Sequence, residues 1–270
     1  MTEIAIMVAA MIATGIVSGI IAGLLGVGGG IVMVPVLDFV LVMLGVPIEI
    51  RMHIAVATSL AVIVPTSIAS AKAHHVRGAV DVDLVNRWAV FIVLGSVAGI
   101  VIASRVDGTV LSAIFGIMAL VVAVKMALPI DDKTLTDEVP RGLVINVVPT
   151  IIGGISSMIG IGGGSMTVPA LTLMNTPIHR AVATSALFGL FISLPGTIGF
   201  IVAGWGNELL PVGSLGFVNL LGFFLIAPIS VLAAPVGAKI AHAASRRTLN
   251  SIFAVFLLLI AIRMLSRTWL

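Results

Sequence analysis

Cysteine is absent from the 270 residues, so neither a disulfide nor a thiolate metal site can form, and the redox compartment leaves no mark on the chain. Charge is nearly as scarce. Charged residues make up 9% of the sequence, where a soluble domain carries about 25% to face water. So few charges cannot make a water-facing surface, which excludes an ordinary soluble domain. The basic excess is small, a net +3. Its lysines and arginines fall mostly in short loops, which reads as membrane topology and not as nucleic-acid binding. Strands alternating apolar and polar residues are missing too, which argues against a membrane barrel. The first apolar run, MTEIAIMVAAMIATG, has an acid and no basic segment before it, so it reads as a first helix and not as a cleaved signal peptide.

What the chain has is apolar length. Hydrophobic residues make up 60% and the mean hydropathy is +1.28. In hydrocarbon the backbone must satisfy its own hydrogen bonds, which leaves helices once barrels are set aside. Apolar stretches run from Ile4 to Leu25, Ile31 to Leu44, Ile54 to Ala71, Trp88 to Ala103 and Val110 to Leu128. The polar segment PIDDKTLTDEVPRG follows and reads as a water-exposed linker. The second half gives Leu143 to Ile159, Met166 to Met174, Ala181 to Ala203, Leu215 to Ala241 and Leu249 to Leu265. The expectation is an all-α polytopic membrane protein with eight full spans. Two further segments, near Ile31 and Met166, are too short, since a span needs about 20 residues.

The halves repeat each other. GLLGVGGGIVMVPVL from Gly23 aligns without gaps to SMIGIGGGSMTVPAL from Ser157, so Gly26, Gly28, Gly29, Gly30 and Pro35 all recur. AVATS occurs at Ala55 to Ser59 and again at Ala181 to Ser185, each copy following a histidine, His53 or His179. A third block, from Gly99, aligns to one from Gly237. Three collinear blocks define a first repeat over 1–128, a linker over 129–141 and a second repeat over 142–270, a common design of secondary transporters. The basic residues of the loops weigh slightly toward an inverted second copy, with the Lys72–Arg87 loop, the linker and the Lys239–Arg247 loop on the inner side. Arg263 and Arg267 then fall on the outer side, against that balance.

The glycine runs carry the strongest chemical signal. GVGGG and GIGGG each interrupt an apolar stretch and are followed five residues later by proline. A helix that restarts after such a break has N–H groups without intrahelical partners and a positive dipole end, which together suit an anion. Gly28, Gly29, Gly30, Gly162, Gly163, Gly164 and Ser165 are therefore candidate anion ligands. The plainer reading is close helix packing of the small-xxx-small kind. Thr58, Ser59, Thr184 and Ser185 offer hydroxyls that can donate to an anion, or that bond to neighbouring helices or to their own backbone. His179 and Arg180 stand beside the second AVATS copy, where arginine would attract an anion and histidine could carry a coupled proton. Arg51 has Glu49 close enough to pair with it. Asp38 can bind a proton or cation, cap, or pair. Lys125 and Arg263 read as anchors, and His74 and His75 as solvated.

On these residues the chain resembles the sulfite exporter TauE/SafE family of bacterial membrane transporters. The resemblance rests on the two GxGGG-x4-P segments, Gly26 to Pro35 and Gly160 to Pro169, on HIAVATS and HRAVATS, and on the duplicated layout. It implies a multi-pass permease of the cell inner membrane, moving sulfur-containing anions such as sulfite and organosulfonates, with proton coupling. One departure is that Ala57 and Ala183 stand where the family often has glycine before the TS pair. The expected partners are a small anionic substrate and membrane lipid, with a homo-oligomer left open.

Two other functions compete. A membrane-embedded enzyme would need a nucleophile and base, a metal triad or a carboxylate pair. HExxH and GxSxG are absent, and no catalytic residue, metal site or cofactor is expected. A structural subunit of a larger membrane complex would have no need of two matched glycine breaks. Transport is the stronger reading.

Overall fold

A computed structural model describes residues 2–25, 28–76, 78–127, 136, 139–140, 142, 144–240 and 246–269. Gly26 of the first break lies outside the described residues, as does the expected linker apart from 136, 139 and 140. Among the described residues ten α-helices run in the order α1 (Thr2–Leu25), α2 (Gly30–Met43), α3 (Ile48–His75), α4 (Val82–Ala103), α5 (Gly108–Ala127), α6 (Val147–Ile159), α7 (Gly164–Leu173), α8 (Ile178–Ala203), α9 (Leu220–Ile240) and α10 (Arg246–Trp269). Five of them, α3, α4, α5, α8 and α9, are long and apolar enough to cross a membrane. The helices α1 and α10 have 24 residues each.

Two sequence expectations change. Within the stretch Leu143 to Ile159, Val144–Asn146 form a 3-10 turn and Val147–Ile159 a helix of only 13 residues, α6. At 1.5 Å per residue that is about 20 Å, short of the roughly 30 Å of a hydrocarbon core. The second half thus has two short helices, α6 and the 10-residue α7. The all-α expectation also misses a hairpin of two short antiparallel strands, β1 (Ser214–Leu215) and β2 (Val218–Asn219). It sits in front of α9 and is tied back to the end of α8 by the Phe217 N–H donating to the Phe200 carbonyl at 3.2 Å.

Small residues set the packing, as expected where apolar side chains gain nothing over lipid tails and backbones must approach closely. Gly15 and Gly19 of α1 lie against Ile229 and Ser230 of α9, and Gly237 lies against Ile20, so α1 and α9 run parallel. Gly95 and Gly99 of α4 meet the Thr150 and Gly154 carbonyls of α6, again in parallel. The central helices α3 and α8 run antiparallel, with Gly196 on Leu60 and Gly189 on Ser67. Trp88 of α4 stacks on Phe188 of α8 at 6.0 Å, and both are buried.

These directions put the start of α3 at one face and the starts of α4 and α8 at the other. At the first face, buried His53 donates from Nε2 to the carbonyls of Ala103, at 3.0 Å, and Val106, at 3.1 Å. Carbonyls only accept, so Nε2 carries the hydrogen. The same ring stacks on Phe217 at 5.1 Å. His53 therefore joins α3, the end of α4 and the β1–β2 hairpin.

Candidate functional site

Both breaks carry buried glycines with left-handed backbone. Gly28 and Gly29 each have φ 72°, and Gly160 and Gly163 have φ 70° and 76°. Left-handed backbone favours glycine, since a Cβ there meets the following carbonyl. Gly29 caps α2, its carbonyl taking the N–H groups of Val32 and Met33 at 3.1 and 3.2 Å. Gly163 caps α7 in the same way, taking those of Met166 and Thr167 at 3.0 and 2.8 Å. Gly28 to Gly30 and Gly160 to Gly164 are all buried.

The two breaks meet. A Cβ on Gly30 would run into the carbonyl oxygen of Gly160, and one on Gly28 would lie 3.2 Å from the Cα of Gly162. Here glycine answers a close approach of two backbones. Helix α3 forms one wall, with Ile63 against Gly28 and the Ser59 hydroxyl donating to the Gly160 carbonyl at 2.8 Å. Helix α8 forms another, with Gly189 beside the Gly162 carbonyl and Ile192 against Gly163. The starts of α2 and α7 thus lie side by side within the packed helices.

The four AVATS hydroxyl residues have no exposed surface. Three reach other segments. Besides Ser59, the Thr58 hydroxyl accepts the Asn219 N–H at 2.9 Å, and the Thr184 hydroxyl accepts the Asp81 N–H at 3.0 Å. Ser185 only bonds back to the Ala181 carbonyl of its own helix, at 2.6 Å, so the structure does not bring it into this group. Asp81 and Asn219 escaped the sequence reading. Each caps its helix with a side-chain oxygen, Asp81 to the Leu84 N–H at 3.0 Å and Asn219 to the Gly222 N–H at 2.8 Å. A signal existed: Asp81 lies as far before Gly99 as Asn219 lies before Gly237.

The charged candidates are peripheral. His179 is exposed. Arg180, with 56% of its side chain exposed, pairs with Asp81 at 3.8 Å. Arg51 pairs with Asp38 of α2, not with Glu49 as its spacing suggests, at 3.4 Å. The pair is buried more deeply, at 14% and 6% exposure, and lines a small cleft with Met52, Gly108, Thr109 and Ser112. Arg263 lies over the Phe39 ring at 4.9 Å, a cation–π contact suited to an anchor. His74 is buried, against the expectation of solvation.

Two hydroxyls at the second break stand apart. Ser165 and Thr167, in the first turns of α7, are 8% and 0% exposed, and neither hydroxyl oxygen has a hydrogen-bond partner. An unsatisfied buried hydroxyl costs roughly 1–3 kcal/mol. Among the described residues no cluster of three or more histidines and carboxylates could hold a metal ion.

Several membrane-length helices, packed through small residues around two buried helix restarts, define a multi-pass membrane transporter. The chain belongs to the sulfite exporter TauE/SafE family, whose model matches residues 11–264. A probable membrane transporter protein of Haemophilus influenzae is 36% identical over 241 residues, covering 88% of this chain and 90% of the relative. Another, from Methanocaldococcus jannaschii, is 27% identical over 241 residues, with 85% and 86% covered. The probable membrane transporter protein YunE of Bacillus subtilis is 25% identical over 260 residues, with 89% and 91% covered. No solved structure matches the chain.

Proposed function

We propose that the chain is a secondary transporter of the cell inner membrane that moves a small sulfur-containing oxyanion, sulfite or an organosulfonate, held where the two breaks meet. The observation that carries this reading is the contact of Gly30 with Gly160 and of Gly28 with Gly162, which sets the starts of α2 and α7 together. Each helix start offers free N–H groups and roughly half a positive charge. Such a site attracts an oxyanion without a desolvated arginine and so releases it more readily. Arg180, half exposed beside Asp81, serves as an outer attractor.

In this reading residues 1–128 and 142–270 form inverted repeats, which place the substrate at their interface near the midplane. The antiparallel course of α3 and α8 supports it, as does the reciprocal bonding of Thr58 to Asn219 and Thr184 to Asp81. Rocking of one half on the other would open the breaks to each side in turn, with a proton moving alongside the anion.

The test is flux into proteoliposomes of the purified protein, with and without a pH gradient. Sulfite and methanesulfonate should enter saturably and faster with the gradient, while acetate and chloride should not compete. Flux no higher than in empty liposomes for every anion would end the reading.

A further inference from the structure

We infer that the anion is bound asymmetrically, at the second break only, and that the hydroxyls of Ser165 and Thr167 are its side-chain donors. This deepens the transport reading and rests on it. Thr167 has no role in that reading, and the repeat by itself gives no reason to prefer one break.

Hydroxyls on the other helices of this chain mostly find a partner, the buried Ser70 being an exception. A serine or threonine inside a helix usually bonds back to the carbonyl four residues earlier. Thr14, Thr66, Thr150, Ser185 and Thr197 all do so, at 2.6 to 2.9 Å. Ser165 and Thr167 do not, and the cap explains why. The carbonyl four before Thr167 is that of Gly163, already taken by the N–H groups of Met166 and Thr167. The one four before Ser165 is that of Ile161, which lies ahead of the left-handed Gly163 and so outside the helix, out of helical register with Ser165. Two hydroxyls are thereby left with protons to donate, both more than nine-tenths buried. The Thr167 oxygen lies 3.6 Å from where a Cβ on Gly163 would stand, beside the start of α7. Buried polar groups are nearly always paired, so an unpaired pair at a helix start marks a place for an acceptor that comes and goes.

The first break lacks this equipment. The residues that align with Ser165 and Thr167 are Ile31 and Met33, both fully buried and unable to donate. A pseudo-symmetric cradle thus carries donors on one side and an apolar wall on the other. That chemistry fits an XO3 head with several acceptor oxygens and a small apolar remainder, as in methanesulfonate. A halide, with no fixed acceptor directions, gains less from two hydroxyls.

The experiment uses the full chain in proteoliposomes, with sulfite and methanesulfonate as probes, and reads KM, maximal rate and anion-induced thermal stabilisation. Thr167→Val and Ser165→Ala should each raise KM by about tenfold, as expected for loss of one hydrogen bond to a charged group. They should leave the maximal rate nearly unchanged and shrink the stabilisation by the anion. Thr167→Ser keeps the hydroxyl and should stay within about twofold of wild type. Thr197→Val removes a hydroxyl that bonds to its own helix and should be silent. Wild-type KM and stabilisation in both hydroxyl-free variants would overturn the inference while leaving the transport reading in place, and so would an equal rise in KM for Thr197→Val. If the wild type itself neither moves nor is stabilised by any oxyanion, the transport reading fails first and this inference falls with it.

Discussion

The hydroxyl of Thr58 on α3 accepts the backbone N–H of Asn219, the residue that caps α9, at 2.9 Å. Its repeat partner Thr184 on α8 does the same for Asp81, the cap of α4, at 3.0 Å. Each half thus holds the start of a helix belonging to the other. Replacing Thr58 with valine keeps the shape and removes the acceptor, leaving a buried N–H unpaired at about 1–3 kcal/mol. The melting temperature should fall by about 2–10 °C. Thr184→Val should cost less, because Asp81 is 24% exposed and water can replace the bond. An equal or larger loss for Thr184→Val in a detergent melt would contradict the argument.

Glycine at the breaks is required by both dihedral and contact. Gly163→Val puts a β-branched residue at φ 76° and against Ile192, and Gly29→Val puts one at φ 72° against the Ser18 carbonyl. Both should abolish flux while the protein still inserts and is recovered from membranes. Gly45→Ala is the control. Its φ is 69° but nothing lies within 4 Å, so it should lose only about 1–2 kcal/mol of stability and keep transport.

Arg180 tests whether fixed charge or helix dipoles hold the anion. Its ion pair with Asp81 is half exposed and screened, so it contributes at most about 1 kcal/mol. Arg180→Gln should raise KM by less than about tenfold, with a smaller effect at high salt. A dead Arg180→Gln alongside active glycine variants would make the guanidinium the site.

The buried pair Asp38 and Arg51 should behave differently. Removing Asp38 leaves the Arg51 guanidinium uncompensated, a loss of about 3–5 kcal/mol, while removing both costs much less. Asp38→Leu should therefore destabilise the protein strongly in a thermal melt. Adding Arg51→Met to Asp38→Leu should restore much of the loss. If the double variant melts like the single one, the pair is not what holds that corner.

Because the chain has no cysteine, single cysteines report topology without background. Val76, 81% exposed after α3, and Val212, 95% exposed before β1, should be labelled from opposite sides by a membrane-impermeant maleimide in intact cells. The inverted reading expects Val212 to react from outside and Val76 only after lysis. Labelling of both from one side would refute it.

Much of the frame was written in the sequence. Sparse charge and long apolar runs required helices in lipid, and the GxGGG runs located both helix restarts to within two residues, because left-handed backbone and restart chemistry are local properties. Three blocks of the sequence recur in the same order in its two halves. Local pattern did less well where length and partner mattered. Leu143 to Ile159 carries no charge, yet only 13 of its residues form α6, since residues 144–146 before it take a 3-10 turn.

Tertiary structure decided the pairings. Glu49 is two residues from Arg51, but Asp38 lies on the facing helix and takes the ion pair. Ser59 and Ser185 are equivalent by sequence. One reaches the Gly160 carbonyl and the other its own helix, because a side-chain donor bonds whatever acceptor the packing presents. Ser165 was a candidate anion ligand by its place after the glycine run, but nothing in the sequence singled out Thr167, whose helical acceptor, the Gly163 carbonyl, is taken by two N–H groups of the α7 cap. The sequence alone determined where the backbone must break. The contact between the two breaks, and the donors left unpaired beside one of them, arise from packing of residues more than a hundred positions apart, which no local pattern encodes.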